Sequence, residues 1–424
     1  MQFSLLALVV AIAYFGLSTG CPAKSGRSTA AGPAAALNSV TPGYCSQILN
    51  KVDGIVRKHF VDARVASTTW PEAVKAHRRN IVSSRNLAQL ADRMNALIKT
   101  LNMSHCQFLT PNDETYYFLR SLFGQSGKRR APPVVFSGAI MGGVNCGQRQ
   151  VRYVLDGSPG ALAGLQPGDV VLAVDGKPFI GQLSFAGTAG RSVRLRVLRD
   201  HQPLELTLKP VLKDLYSAYV EAIEKSARLI RTADGTLGYV HLWTGGQRAH
   251  DAFEDLLGGK LNATAGLILD LRDGYGANFF DDLDYFYRPP NAYPATTTTT
   301  RSGKKRTAIL YYDKPVVALI NGGVRSGKEL LAFSFKRSGR AKLVGERTAG
   351  AVVGGRLFAV DQRTALYLAV AAGDVGGVVL EGKGVEPDIV VPASCSRPDK
   401  DRQLAAAEDV LRQQLRAPAG TPSP

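Results

Sequence analysis

Apolar positions recur at helical spacing in two early stretches of the chain. Ile48, Val52, Ile55, Val56 and Phe60 fall on one helical face, and Leu87, Leu90, Met94, Leu97, Ile98 and Leu101 on another, which predicts a small helical domain over residues 43–127. Beyond the basic, proline-containing link from Lys128 to Pro133 the spacing shortens to that of strands. Val151 to Leu155 and Val170 to Val174 read as strands, Ser158 to Leu165 as a short helix opened by a serine cap and a proline, and Asp175-Gly176 as a hairpin turn. These place a second domain at 132–212. From about Leu215 strands and helices alternate: Leu237 to Leu242, a helix around Ala252 to Leu257, Gly266 to Arg272, the apolar run Val316 to Ile320, and Gly339 to Val344. Such runs predict βαβ-type units around a buried sheet over 213–398. Pro289 to Thr300 reads as a polar surface loop. A last helix over 399–416 carries Leu404, Ala407, Leu411 and Leu415 on one face, and 417–424 is a Pro-rich tail.

Composition adds room and location to this picture. With 424 residues, 45% hydrophobic and 21% charged, the chain has material for more than one core, and global disorder is excluded. The net charge of +17 favours acidic surfaces, with clusters at Lys128-Arg129-Arg130 and Lys304-Lys305-Arg306, but no nucleic-acid motif accompanies them and they read as solvated loops. Residues 1–20 read as a signal peptide, since Leu5 to Phe15 is nearly all apolar yet short for a membrane span. Residues 21–42, rich in Ser, Gly, Ala and Pro, read as a flexible tether. Leu17-Ser18-Thr19-Gly20-Cys21 is similar to a bacterial lipobox, so Cys21 is a candidate lipidation site on an exported protein of the periplasm or outer membrane. Its leucine lies one place early, and no Lys or Arg precedes the apolar run. With Cys21 lipidated, Cys45, Cys106, Cys146 and Cys395 remain, which permits disulfides and fits no zinc spacing. No metal or other cofactor is expected.

Candidate chemistry centres on Lys314 to Leu331, where the apolar strand turns through Gly322-Gly323 into a helix with Ser326 near its start. A serine there projects from the sheet edge, beside helix N-terminal N–H groups free to bind an oxyanion. Gly322 to Lys328 also fits a phosphate loop, G-x-x-x-x-G-K, although Glu329 stands where Ser or Thr would hold Mg²⁺. An ordinary glycine-rich turn is the third reading. Asp273-Gly274-Tyr275-Gly276, after the strand ending at Arg272, is a glycine loop suited to donating N–H groups.

Two sets of motifs sharpen these readings. The run SPGALAGLQPGDVVLAVDGKPF resembles PDZ domains, which bind peptide C-termini as an added strand; Gly138, Ala139 and Ile140, after Ser137, are the expected carboxylate loop. With the helical segment before it and LILDLRDGYGA, KPVVALINGG-x-x-S, GRAKLVGERTAGA and GVEPDIVVP after it, the chain resembles the C-terminal processing, or tail-specific, serine peptidases. The resemblance implies an α/β multidomain fold: a helical N-terminal domain, a PDZ domain and a crotonase/ClpP-like sheet core. It implies Ser326 as nucleophile and an oxyanion hole from Gly327 with Gly276, or secondly Gly274. The common bacterial branch has a lysine twenty-five residues after its serine, where this chain has Ala351. The tricorn-like branch instead pairs a Ser-His dipeptide ahead of the PDZ domain with a glutamate before GV-x-PD, and Ser104-His105 and Glu381 match it. His105 is then the expected base and Lys328, two residues from Ser326 along a helix, is not. The expected activity is cleavage of protein or peptide substrates with free C-termini. A catalytically silent PDZ scaffold and a nucleotide-binding protein are the rivals.

Overall fold

The computed structural model describes residues 39–124, 132–145, 148–277, 285–287, 296–303, 305–308, 311–393 and 401–417. The signal and lipidation segment through Cys21, the Lys128-Arg129-Arg130 cluster, Cys146, Lys304, Cys395 and most of the tail lie outside them.

The predicted helical faces form α1 (Pro42–His59) and α3 (Leu87–Ile98), with α2 (Thr69–Val82) between them. Thr41 and Asn86 cap α1 and α3 by accepting the Tyr44 and Gln89 N–H groups. Helix α2 escapes the apolar-face reading because its inward residues are only Trp70, Val74 and Ile81. After α3 the chain forms the three-residue strand β1 (Gln107–Leu109) and helix α4 (Glu114–Gly124). The helices share one apolar core with residues far along the sequence: Trp70, Leu90 and Phe108 pack with Val353, Val360, Leu366 and Leu368.

The middle segment is a sheet in the order β2 (Ala139–Asn145), β3 (Gln148–Val154), β4 (Val170–Val174), β5 (Val193–Arg199), β6 (Gln202–Leu208), antiparallel throughout and with β2 at one edge. Asp175 and Gly176 both take positive φ, 48° and 76°, as a two-residue hairpin turn demands. Ser158 caps the expected short helix by accepting the Ala161 N–H.

Helix α5 (Leu215–Ser226) leads into the central sheet, built from β7 (Arg228–Thr232), β8 (Gly235–His241), α6 (Gln247–Gly258) and β9 (Gly266–Asp270). A short antiparallel pair, β10 (Thr296–Thr299) and β11 (Lys305–Ala308), follows. Then come β12 (Val316–Ile320), α7 (Gly327–Ser338) and β13 (Ala341–Gly345). The order is β7-β8-β9-β12-β13, completed by the two-residue Ile389–Val390, parallel except for the β7–β8 pair. All five residues of β9 and of β12 are buried, because their two sets of alternate side chains face two separate layers. Leu267, Leu269, Val316 and Ala318 meet α5, α6 and α7, whereas Ile268, Val317 and Leu319 meet the C-terminal helix α8 (Arg402–Arg416) through Ala407 and Leu411.

The polar loop expected over Pro289 to Thr300 needs correction where it is described. Thr296–Thr299 is an exposed strand, since consecutive β-branched residues favour extended backbone and find a partner in Lys305–Ala308. A further sheet is formed by β1, β14 (Gly354–Ala359) and β15 (Ala365–Ala371), with β15 in the middle. It joins the N-terminal helices to the end of the central fold.

Candidate active site

Parallel strands β9 and β12 end side by side, and the loops leaving their carboxyl ends build the floor of a cavity of about 920 Å³. Ser326 lies on it at the N-cap of α7, with φ 56° and ψ −132°, a conformation rare for a residue with a Cβ. Its side chain caps nothing. Its own N–H donates to the Ala351 carbonyl at 2.7 Å, so the place at which the common branch carries its lysine here supports the serine through backbone. Gly327 opens α7, where the first N–H groups have no helical acceptor.

The loop after β9 closes directly over this serine. A Cβ on Gly276 would lie 2.4 Å from the Ser326 Cβ and 2.9 Å from the Gly327 nitrogen, so only glycine permits the approach. Gly274 has φ 67°, and a Cβ there would meet the Trp243 carbonyl oxygen at 2.1 Å. Two other N–H groups of the loop are already committed: Asp273 donates to Asn321 Oδ1 and Tyr275 to the Trp243 carbonyl. Asn321 Nδ2 donates to Asp273 Oδ2 at 3.0 Å, and Arg152, from β3, pairs with Oδ1 at 3.1 Å.

The two residues after Gly327 are both buried and both grip backbone. Lys328 Nζ donates to the Asp273 carbonyl at 2.7 Å and the Leu271 carbonyl at 3.4 Å. Burial pulls its ammonium down to about 7, against the favourable fields of Asp270 and Asp273. Glu329 accepts from the Gly350 N–H at 2.7 Å, the Ala351 N–H at 2.6 Å and the Thr348 hydroxyl; burial raises its pKa, and those bonds oppose the rise. With Lys328 turned onto carbonyls and Glu329 spent on amides, the G-x-x-x-x-G-K match does not present a phosphate cradle.

Ser104 and His105 line the same cavity. Glu381 Oε1 accepts the Ser104 N–H at 2.9 Å, and Oε2 accepts the Ser104 hydroxyl at 3.1 Å and the Val352 N–H at 2.8 Å. With its proton given to the carboxylate, Ser104 Oγ accepts from His105 Nδ1–H at 2.8 Å. That tautomer leaves Nε2 as a bare acceptor. Burial lowers the His105 pKa to about 4; the Glu381 charge raises it and the Arg325 charge lowers it further. The imidazole is therefore neutral at pH 7. His105 and Ser326 line the same cavity, and among the described residues no hydrogen bond joins the two side chains directly.

The same cavity reaches the antiparallel sheet of the middle segment. Ala139, Ile140 and Met141 of β2 and the preceding Ser137 line it, together with Leu165 and Phe185. Gly138 has φ 95°, and a Cβ there would fall 2.0 Å from Ser158 Oγ. The Ala139 N–H is directed at Ser137 Oγ at 3.3 Å, and Ile140 stands opposite Tyr153 in the β2–β3 register. Cys45 and Cys106 are both free thiols, so the disulfide that would join them is not formed.

One cluster carries no sequence motif. Glu114, half-buried on α4, accepts from Tyr219 OH and from Tyr275 OH, each at 2.9 Å, and Tyr219 OH meets Tyr153 OH at 2.9 Å. Burial raises the Glu114 carboxyl to about 7. Phe118 stacks on Tyr275 at 3.9 Å, clamping the residue between Gly274 and Gly276. An aromatic-rich helix, ETYYFLRSLF, was the available signal, but nothing local says what its glutamate faces.

Residues 236–391 match the model of peptidase family S41, and residues 150–199 that of a PDZ domain. A carboxy-terminal-processing protease of Bartonella bacilliformis is 26% identical over 61% of this chain and 62% of its own length. A carboxyl-terminal-processing protease of Synechocystis is 28% identical over 53% and 54%. The chain thus spans between half and two thirds of the length of these relatives. The tricorn protease of Thermoplasma volcanium is 26% identical over 58% of this chain and 24% of its own. A crystal structure of the tricorn protease superposes with a TM-score of 0.50 at 19% identity, over 88% of this chain and 37% of that one, a likeness of fold. Residues 236–391, which carry most of the central sheet, are thus similar to peptidase family S41, and residues 150–199, within the antiparallel sheet ahead of it, to a PDZ domain.

Proposed function

We propose that this chain is a serine endopeptidase that engages the C-terminal tail of a protein substrate on its PDZ domain and cleaves upstream through an acyl-enzyme. The observation that carries the reading is one cavity lined by Ser326, by Ser104-His105 and by the β2 edge of the PDZ sheet. In the proposed cycle the Ser326 hydroxyl attacks the peptide carbonyl while His105 Nε2 takes its proton. The oxyanion meets the N–H groups of Gly327 and Gly276, with Gly274 as the second candidate. His105 then protonates the leaving amine, and water releases the acyl group by the same route. Ser104 and Glu381 orient the imidazole and stabilise its charged form, an arrangement that supports the tricorn-like reading. The tail carboxylate is assigned to the loop Gly138-Ala139-Ile140, its chain adding to the β2 edge of the sheet.

The reading extends to location. Export on residues 1–20, and a lipid on Cys21, are proposed from the apolar run and the lipobox-like segment; Cys21→Ala should then release the protein from membranes. The decisive experiment is reaction with a fluorophosphonate probe and cleavage of casein or a tail peptide. Labelling at Ser326, with both activities lost in Ser326→Ala, is the expected result. No labelling and no cleavage by the folded wild-type chain would leave a silent PDZ scaffold.

A further inference from the structure

Lys328 is fully buried, two residues beyond Ser326, and among the described residues no carboxylate oxygen lies within ion-pair distance of it. A buried cation without a salt-bridge partner is costly, so its acceptors matter. They are two backbone carbonyls of one segment, Asp273 at 2.7 Å and Leu271 at 3.4 Å, where β9 runs into the glycine loop. A Cβ on Gly274 would stand 3.1 Å from Nζ. The side chain is not part of the cavity wall.

We propose that Lys328 is a positioning residue that ties the start of α7 to the 271–276 loop and so sets the spacing between the Gly327 amide and the Gly276 and Gly274 amides. The inference rests on the peptidase reading. Its logic is geometric: the two halves of the oxyanion hole come from separate segments, one after β12 and one after β9. Strand pairing fixes those segments only as far as Leu271, whose N–H donates to the Leu319 carbonyl, and Ile320, which pairs with Gly345. Beyond that point the loop is held at Asp273 by Asn321, at the Tyr275 N–H by the Trp243 carbonyl and at the Gly276 carbonyl by the Gly245 N–H, and Lys328 adds the tie that runs from the first turn of α7 to the Leu271 and Asp273 carbonyls. Glu329, the next residue, does the equivalent for the 348–351 segment on the other flank. Lys328 touches neither substrate nor the reacting atoms, which separates it from His105.

The test compares Lys328→Met, which keeps the apolar stem and removes the donors, with Lys328→Arg, which keeps charge and donors. For the full chain acting on a tail peptide, the Met variant should lose about 10- to 100-fold in kcat with KM nearly unchanged, because only the transition state uses the oxyanion donors. Affinity for a peptide aldehyde should fall by a similar factor, the Arg variant should recover part of both, and the acid limb of kcat/KM should stay where it is. Deuterium exchange at amides 272–277 should quicken in Lys328→Met, and this must hold in a Ser326→Ala background too. The exchange readout thus survives if the peptidase reading fails, and fails on its own if only the lysine assignment is wrong. Wild-type kcat in the Met variant, or a displaced acid limb with a loss equal to that of His105→Ala, would overturn the proposal; the second result would make Lys328 the base. Should the Met variant not fold, wild-type exchange decides: protection of 272–277 comparable to β9 supports the tie, and exchange at surface-loop rates refutes it.

Discussion

His105 and Ser326 both hold positive φ, 57° and 56°, at a cost of about 1–3 kcal/mol each that the surrounding fold must sustain. Strain at two residues that line one cavity fits a nucleophile and a base held for reaction rather than for stability. Loss of the base from a serine hydrolase removes several orders of magnitude in turnover, so His105→Ala should approach Ser326→Ala, each losing roughly 10³-fold or more in kcat on a tail peptide. An alanine variant at His105 that retained full turnover would end the assignment. The pH profile gives a second check. Because His105 is depressed to about 4, the free enzyme should keep a neutral base well below pH 6.5, and the acid limb of kcat/KM should fall near pH 4. Glu381 raises that pKa, so Glu381→Gln should move the limb to lower pH while reducing kcat by an intermediate factor. A limb that moved upward, or stayed put, would separate Glu381 from the imidazole. At this scale the sequence was readable where chemistry is carried by adjacent residues. Ser104-His105 could be found as a dipeptide, whereas Lys328 was only judged by its spacing from Ser326, and its true acceptors lie 55 and 57 residues away.

Helix α7 is the element that organises the candidate site, its start carrying the proposed nucleophile Ser326, the proposed oxyanion amide of Gly327 and two buried side chains of opposite charge that each hold a neighbouring loop. The strand and turn that precede it were legible because five consecutive apolar residues followed by two glycines have few other foldings. Strand β1 was not: three residues carry no period, and their partner β15 is more than 250 positions away. Close packing of loop against helix makes its own forecast. Gly276→Ala would place a methyl 2.4 Å from the Ser326 Cβ, so it should abolish fluorophosphonate labelling in a protein that still melts cooperatively; normal labelling would show the loop to be elsewhere in solution. The PDZ edge makes another. Peptides with a free, apolar C-terminus should bind more tightly than their amides, because amidation removes the charge that backbone N–H groups address. Equal affinities by calorimetry would assign the β2 edge another purpose.

For the molecule as a whole, the informative fact is that the N-terminal helices do not close a core by themselves. They complete it with Val353, Val360, Leu366 and Leu368 from beyond Ser326, and β1 pairs along the edge of β15, which carries Leu366 and Leu368. Periodicity along α1 and α3 showed that apolar faces existed, but no local pattern could say that their cover arrives some 250 residues later. Phe108 sits at the junction. It is fully buried, pairs with Leu366, and its N–H and carbonyl are both held by the Asn95 side chain, at 2.7 and 3.0 Å. His105 lies three residues earlier. Phe108→Ala should therefore cost about 3–5 kcal/mol in chemical unfolding, as a large buried aromatic does when its cavity cannot collapse. It should also depress kcat, because the segment that presents the base is anchored there. Leu195→Ala provides the contrast, since Leu195 belongs to the separate core of the PDZ sheet. That variant should weaken binding of a tail peptide while leaving Ser326 reactive toward a fluorophosphonate. If Phe108→Ala were destabilised yet catalytically intact, the base would be held independently of the helical core, and the dependence of the site on this long-range closure would be disproved.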